Sequence, residues 1–191
     1  MTLYIIHASV RQGRKGFGIS EWMTHSATDY SDFKVKLIDL REVNLPMMDE
    51  PNHPVLKLYI HQHTLEWSKL IEQADAFIFV SAEYDFGYPG VLRNAIEYLY
   101  HEWNYKPAGI VSYGGVSGGT RAFNALRNDL SAVKMFPLMT AVHIPFFSKQ
   151  LDSNDRFIPN DQNTEAAKKL FNDLIFYHNN VKSFRDKNIN K

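Results

Sequence analysis

Five short, β-rich apolar runs alternate with stretches of helical spacing, and this alternation limits the fold more than any other feature of the chain. The runs are residues 3–7, 35–40, 76–81, 108–113 and 138–144. After Gly16, Ile19, Trp22 and Met23 recur at helical spacing, and residues 58–71 and 91–100 form two further helical candidates. Residues 120–133 place Ala122, Leu126, Leu130 and Val133 on one stripe. Residues 165–178 place Ala167, Leu170, Phe171, Leu174 and Ile175 on another, with Asn163 or Thr164 as the N-cap.

Strand–helix alternation repeated five times specifies an α/β doubly wound parallel sheet with helices on both faces. Five strands in this length suit the flavodoxin-like order 2-1-3-4-5. The 191 residues are enough for one domain with a sizeable core, expected over residues 1–181, with 182–191 as a polar tail that frays. Two long loops, 41–54 and 145–162, flank no second core. The apolar run Leu45-Pro46-Met47-Met48 within the first is expected to tuck against the sheet edge or a partner chain.

Composition narrows the chemistry. Lys+Arg and Asp+Glu number 21 each, so there is no broad charge footprint for nucleic acid or an anionic membrane. No cysteine is present, which removes disulfides, thiolate catalysis and cysteine-ligated metals. No apolar run approaches the roughly 20 residues of a membrane span. The chain enters a strand pattern at once, without a signal-type segment, so the expected location is the cytoplasm. His61 and His63, two apart, would point to different faces of a helix, and His53 and His101 stand alone, so no metal site is expected. Asp152-Ser153-Asn154-Asp155 lacks the glycine and terminal glutamate of a calcium loop and reads as a turn.

In a sheet of this order the loops after strands 1, 3 and 4 converge on one rim at the topological switch point, and the unusual residues lie there. The first loop, Ala8-Ser9-Val10-Arg11-Gln12-Gly13-Arg14-Lys15-Gly16-Phe17-Gly18, opens a helix. Free N–H groups at the helix start, the Ser9 hydroxyl and the guanidinium groups of Arg11 and Arg14 suit a phosphate. The second loop carries Glu83, Tyr84, Asp85, Phe86 and Tyr88 before the Pro89-Gly90 turn, groups able to edge a planar heterocycle. The third, Ser112-Tyr113-Gly114-Gly115-Val116-Ser117-Gly118-Gly119-Thr120, offers backbone N–H groups to negative charge on such a ring.

With these loops in order, residues 3–145 resemble the NAD(P)H-dependent FMN reductases, a flavodoxin-like family that includes quinone and azo reductases. The family's P-E-Y-N-x-x-x-P-G-x-L-K-N-A-I-D is matched by the stretch from Ala82 to Glu97. Its K-P-x-x-x-V-S-Y-G-G, followed by G-G-x-R-A, is matched by 106–115 and 118–122. Its phosphate loop G-S-x-R-x-x-R is matched in part by Ala8 to Arg14. The resemblance implies that Ser9, Arg11, Arg14 and the N–H groups near Gly16 and Phe17 hold the FMN phosphate. It implies that Glu83, Tyr84, Asp85 and Phe86 edge the isoalloxazine, and that Ser112, Tyr113, Gly114 and Gly115 face its pyrimidine side.

It further implies hydride transfer from NADPH or NADH to bound FMN and ping-pong delivery to a quinone, flavin or other flat acceptor. The flavin carries the chemistry, so no side chain acts as catalytic acid or base. Tyr84, Tyr88 and Trp103 are expected to line the stacking slot. A homodimer is implied, with residues 98–105 as the interface candidate. Two departures stand out: Ala82 replaces a proline and Asp85 an asparagine, and a negative charge at Asp85 close to the flavin would lower its reduction potential. Two other readings compete. One is a non-catalytic flavodoxin-like electron carrier. The other is a serine esterase with Ser117 in a G-x-S-x-G turn, served by Asp129 or Asp152 and by His143 or His178.

Overall fold

The five apolar runs form five strands: β1 (Thr2–His7), β2 (Lys34–Asp39), β3 (Ala76–Ala82), β4 (Pro107–Tyr113) and β5 (Phe136–Ile144). In the computed structural model, which describes residues 1–30 and 32–188, they make one all-parallel sheet in the order β2-β1-β3-β4-β5. This is the flavodoxin-like arrangement. Every residue of the central strands β3 and β4 is buried, which is why both read as unbroken apolar runs. The helices are α1 (Phe17–Thr28), the short α2 (Leu40–Val43), α3 (Gln62–Glu72), α4 (Gly90–Glu97), α5 (Thr120–Ala132) and α6 (Asp161–Asn188).

The sheet divides the apolar interior in two. On one face Trp67, Ile71, Leu92, Trp103 and Leu126 pack against Tyr4, Phe77 and Phe79. On the other, Ile19, Met23, Leu170, Phe171 and Leu174 cover Leu3, Ile5, Ile78 and Val111. Odd and even positions of each strand feed opposite layers, as the pleat requires.

Several local expectations need correction. The helix expected over 58–71 begins only at Gln62; before it stand a 3-10 turn at Pro54–Leu56 and an irregular stretch with Leu58 and Ile60 exposed. Asn163 is not the cap of α6. Asn160 precedes the helix and its Oδ1 accepts from Asn163 N at 2.8 Å, while Asn163 Oδ1 accepts from Asn160 N at 3.1 Å, a reciprocal capping box. The segment expected to fray from 182 is helical to Asn188. Arg185 there is buried and ion-paired to Asp75, Nη2 to Oδ1 at 2.9 Å. Residues 189–191 lie outside the described residues.

Most of the 98–105 segment is core, with His101 exposed and Tyr100 and Tyr105 half-buried. Tyr98, Leu99 and Trp103 are fully buried, and Glu102 and Asn104 nearly so. Trp103 donates its indole N–H to Ile96 O at 3.1 Å and packs edge-on against Phe77, so it lines no slot. In the 45–48 run, Asn94 ties Pro46 O and Met48 N to α4, while Pro46 and Met47 stay exposed.

Candidate functional site

The carboxyl ends of β1, β3 and β4 open onto two adjoining clefts of about 320 and 630 Å³, each within the roughly 300–1,000 Å³ typical of small-molecule sites. Arg11, Glu83 and Tyr84 line both and form the ridge between them. The smaller cleft is walled by Arg11–Gly16 of the first loop, Ala82, Tyr113, Gly114 and Phe147. The larger is walled by Val10, Asp85, Pro89, Gly90 and Val91.

At the first loop, α1 starts at Phe17 with no capping side chain and no acidic residue in its first turn. Its leading N–H groups therefore face the cleft with their partial positive charge. Gly16 is required there, because a Cβ would overlap the Tyr113 phenol, which lies directly against it. Arg11 is exposed, and among the described residues its side chain has no hydrogen-bond or ion-pair partner.

Arg14 is not free. Its guanidinium grips the Asp39 carboxylate at the end of β2 with both terminal nitrogens, Nη1 to Oδ1 at 2.7 Å, and Nη1 also donates to Ser9 O at 2.5 Å. Both side chains are only 11% exposed. Burial works against the Asp39 charge, but hydrogen bonds from Arg14 and from Arg41 N–H hold its carboxyl below the usual range. Asp39 was invisible as a site residue in the sequence; its only signal was an acid at the end of the strand beside β1.

Beneath this loop His7 is fully buried. Its Nδ1 lies 2.7 Å from Ser20 Oγ and its Nε2 has no partner. Burial, then the Arg14 charge, lowers its pKa to about 4, so the ring is neutral at pH 7. Ser9 is also fully buried, with its Oγ 2.7 Å from the Tyr84 phenol. Phe17 backs the loop, its ring under Arg14 and against His7.

The second loop is a tight reversal. Tyr84 and Gly87 exchange both backbone hydrogen bonds at 2.9 Å, and Asp85 and Phe86 between them have φ of 48° and 67°. Two left-handed residues define a type I′ turn, which normally takes Asn-Gly. For ordinary residues that conformation costs about 1–2 kcal/mol each. The loop is anchored on both sides. Tyr88 donates its phenol proton to Asp129, which Arg93 also binds at 2.7 Å, so Tyr88 is turned away and, of the three aromatics expected in the slot, only Tyr84 lines it.

Glu83 reaches the start of α5. Its carboxylate accepts from Arg121 N at 3.1 Å, Arg121 Nε at 2.8 Å and Ser117 Oγ at 2.9 Å. Burial opposes its ionisation, and these donors outweigh it, holding the carboxyl below its ordinary value. Glu83 thus caps a helix that has no side-chain cap of its own. Phe86 lies outside, 69% exposed, with the Arg121 guanidinium 4.0 Å from its ring centre.

In the third loop the structure separates the expected residues. Gly114 lines the smaller cleft, whereas Gly115 is exposed and lines neither cleft. Ser112 is buried below: its hydroxyl donates to Gly118 O at 2.9 Å and sits 2.7 Å from His143 Nδ1, so it does not face the cleft. Tyr113 lines the cleft against Phe147, and burial, then the neighbouring Tyr84, raises the pKa of its phenol. Ser117 is engaged by Glu83, His143 contacts Ser112 instead, and neither His143 nor His178, the two histidines nominated, bonds Ser117 among the described residues. No group of three or more metal-ligating side chains is placed to hold a metal among the described residues.

A parallel 2-1-3-4-5 sheet with an uncapped helix start, an unpaired arginine and an aromatic-edged cleft at its switch point defines a flavodoxin-like protein built for a phosphate-bearing planar ligand. Residues 1–149 match the family model described as NADPH-dependent FMN reductase. The chain is 39% identical over 147 residues to an NAD(P)H-dependent FMN reductase of Schizosaccharomyces pombe, covering 75% of this chain and 73% of that one. It is 32% identical over 146 residues to the NAD(P)H-dependent FMN reductase of Saccharomyces cerevisiae, covering 71% and 76%. Among solved structures, the NAD(P)H:(acceptor) oxidoreductase FerB of Paracoccus denitrificans superposes with a TM-score of 0.68 at 21% identity, over 95% of this chain and 97% of that one, a likeness of fold. The chain belongs to the NADPH-dependent FMN reductase family. It is an oxidoreductase whose cofactors are FMN and NAD(P)H.

Proposed function

We propose that this chain is a cytoplasmic homodimer that takes electrons from NAD(P)H and delivers them to a quinone, a free flavin or another flat small acceptor. The two reactants would enter the same open cleft in turn, a ping-pong sequence. The observation that carries this reading is the pairing of an uncapped α1 start and an unpaired Arg11 with an adjoining cleft edged by Tyr84, Pro89 and Val91.

The residues present fit FMN. The cationic and N–H donor set around Arg11–Gly16 suits a phosphate dianion, and the ridge at Tyr84 leads from it into a cleft wide and apolar enough for a tricyclic ring. Bound there, FMN supplies two-electron chemistry, accepting a hydride from the nicotinamide and releasing the electrons to the acceptor. The protein holds and orients it. Arg11 and the N–H groups of Gly16 and Phe17 would bind the phosphate. Arg14 acts through the loop, fixing Ser9 by its carbonyl. Tyr84 and Tyr113 would wall the ring, and Gly115 would offer its N–H to charge developing on it, the Gly114 N–H being given to Ile144 O at 3.3 Å. Glu83 serves from behind as the cap of α5. Asp85, exposed at the larger cleft, would place a negative charge near the ring.

Replacing Arg11 with alanine is expected to weaken FMN binding about 10- to 100-fold, the loss of one charge-assisted hydrogen bond of about 1.5–3 kcal/mol. Flavin fluorescence titration of the apoprotein measures it; undiminished affinity would remove the phosphate assignment.

The dimer surface needs a new location, since the large rings of the 98–105 segment, Tyr98 and Trp103, are buried in the core. Met47, Leu56, Leu58, Ile60 and Leu65 are all more than 40% exposed and lie in one 19-residue segment tied to α4. Clusters of this kind mark interaction sites. Light scattering should return twice the monomer mass for the wild type, and the Leu58→Glu, Ile60→Glu double variant should run as a monomer. A monomeric wild type sinks the assignment.

A further inference from the structure

Phe86 combines features that no packing role explains. It sits at φ 67°, a backbone conformation that a bulky side chain avoids, and its ring is 69% exposed. A surface turn of this shape would be relieved by asparagine or glycine, and the core would lose nothing, because the ring touches none of it. The ring is also held. The Arg121 guanidinium stacks on one face at 4.0 Å, and Glu83 fixes that guanidinium through Nε at 2.8 Å and Nη2 at 2.5 Å. The same carboxylate caps α5, so the support under Phe86 is built into the start of a helix. Among the described residues no second ring stacks on Phe86, and most of its surface is open to solvent. The turn that carries it also carries Tyr84 and Asp85, which line the larger cleft.

We propose that Phe86 is a stacking platform for the flat, aromatic or quinonoid reactant at the mouth of the cleft, and that Arg121 is a positioning residue that keeps the ring presented. This rests on the reading of the cleft given above and adds to it a residue that selects the substrate class. It also moves Phe86 away from the cofactor-edging role implied by sequence resemblance. The backbone conformation fixes where the ring points. The guanidinium limits its rotation, so a planar reactant meets a surface already oriented, with little ordering cost on binding. A reactant with no flat face gains nothing from it.

The test compares two oxidants on FMN-loaded enzyme: 1,4-naphthoquinone, which can stack, and ferricyanide, which is octahedral and cannot. Phe86→Ala is expected to raise KM for the quinone about 3- to 10-fold, the range of one aromatic stacking contact. KM for ferricyanide and FMN affinity should stay unchanged. Phe86→Trp should restore the quinone KM, and Arg121→Lys should raise it by a smaller factor. Calorimetric titration with naphthalene-2-carboxamide, which is not reduced, should show the same loss of affinity in Phe86→Ala. Equal KM changes for both oxidants, a rise in FMN dissociation constant, or a change in molecular mass by light scattering would each overturn the proposal. Failure of the flavin reading appears separately, as a wild type that retains no FMN. The carboxamide titration of wild type against Phe86→Ala then still decides the platform.

Discussion

Gly119→Ala is expected to lower stability by about 3 kcal/mol or more, a fall in Tm of roughly 6–12 °C for a chain of this size. Gly119 precedes α5 at φ 83°, where any L side chain is strained by about 1–2 kcal/mol. A Cβ there would lie 2.7 Å from Ser112 Cβ and 2.8 Å from Tyr113 N. Neither can yield, because both belong to β4, which is buried along its whole length and paired on both sides. Gly115→Ala, four residues earlier, has nothing within 4 Å and an ordinary φ, and should change stability by less than about 0.5 kcal/mol. Urea denaturation of the two variants gives the comparison. Similar losses would mean that the third loop is not wedged against β4 as described.

Asp39→Ala should cost about 2–3 kcal/mol, near the lower end for breaking a buried ion pair, because Arg14 keeps some access to water. The orphaned guanidinium would remain 11% exposed beside neutral His7. The loss has a defined pH dependence. The folded-state pKa of Asp39 lies below its unfolded value, so its contribution is fully present above about pH 4 and disappears as pH falls through the lower folded value. Wild type and variant should therefore differ most in stability near neutrality and converge in acid. Denaturant midpoints measured from pH 7 to pH 3 check this, and a gap that stays constant with pH would show that the pair contributes nothing.

The strands were legible to within one or two residues because buried parallel strands are apolar on both faces and turn residues bound them. The helix before β3 was misplaced at its start for the opposite reason. Leu58 and Ile60 are apolar and run directly into the helix, but their side chains face solvent in an irregular segment, and hydrophobicity alone does not distinguish a buried stripe from an exposed patch. The same ambiguity put residues 98–105 at an interface, whereas Trp103 is a centrepiece of the core.

In the site, the three loops were readable from glycine and arginine placed between a strand and a helix. What each side chain does there was not, because the deciding partners are distant in sequence. Arg14 meets Asp39, Glu83 meets Arg121 and Ser117, and Tyr88 meets Asp129. Each pairing converts a residue that looked available to a ligand into part of the scaffold. Arg11 has no such partner among the described residues, and this is what supports the phosphate role proposed for it.

The long reach of α6 gives the molecule two unlike poles. At the amino ends of the strands, Asp75 receives Thr2 N at 2.9 Å and Arg185 at 2.9 Å, so the beginning of the chain, its middle and its last helix meet in one knot. The opposite pole is crossed by ties of its own, Ser9 to Tyr84, Arg14 to Asp39 and Glu83 to Arg121, and those ties also shape the clefts. Wear should therefore show differently at each end: damage at the knot loosens the body alone, while damage among the loops both loosens it and alters what it can hold.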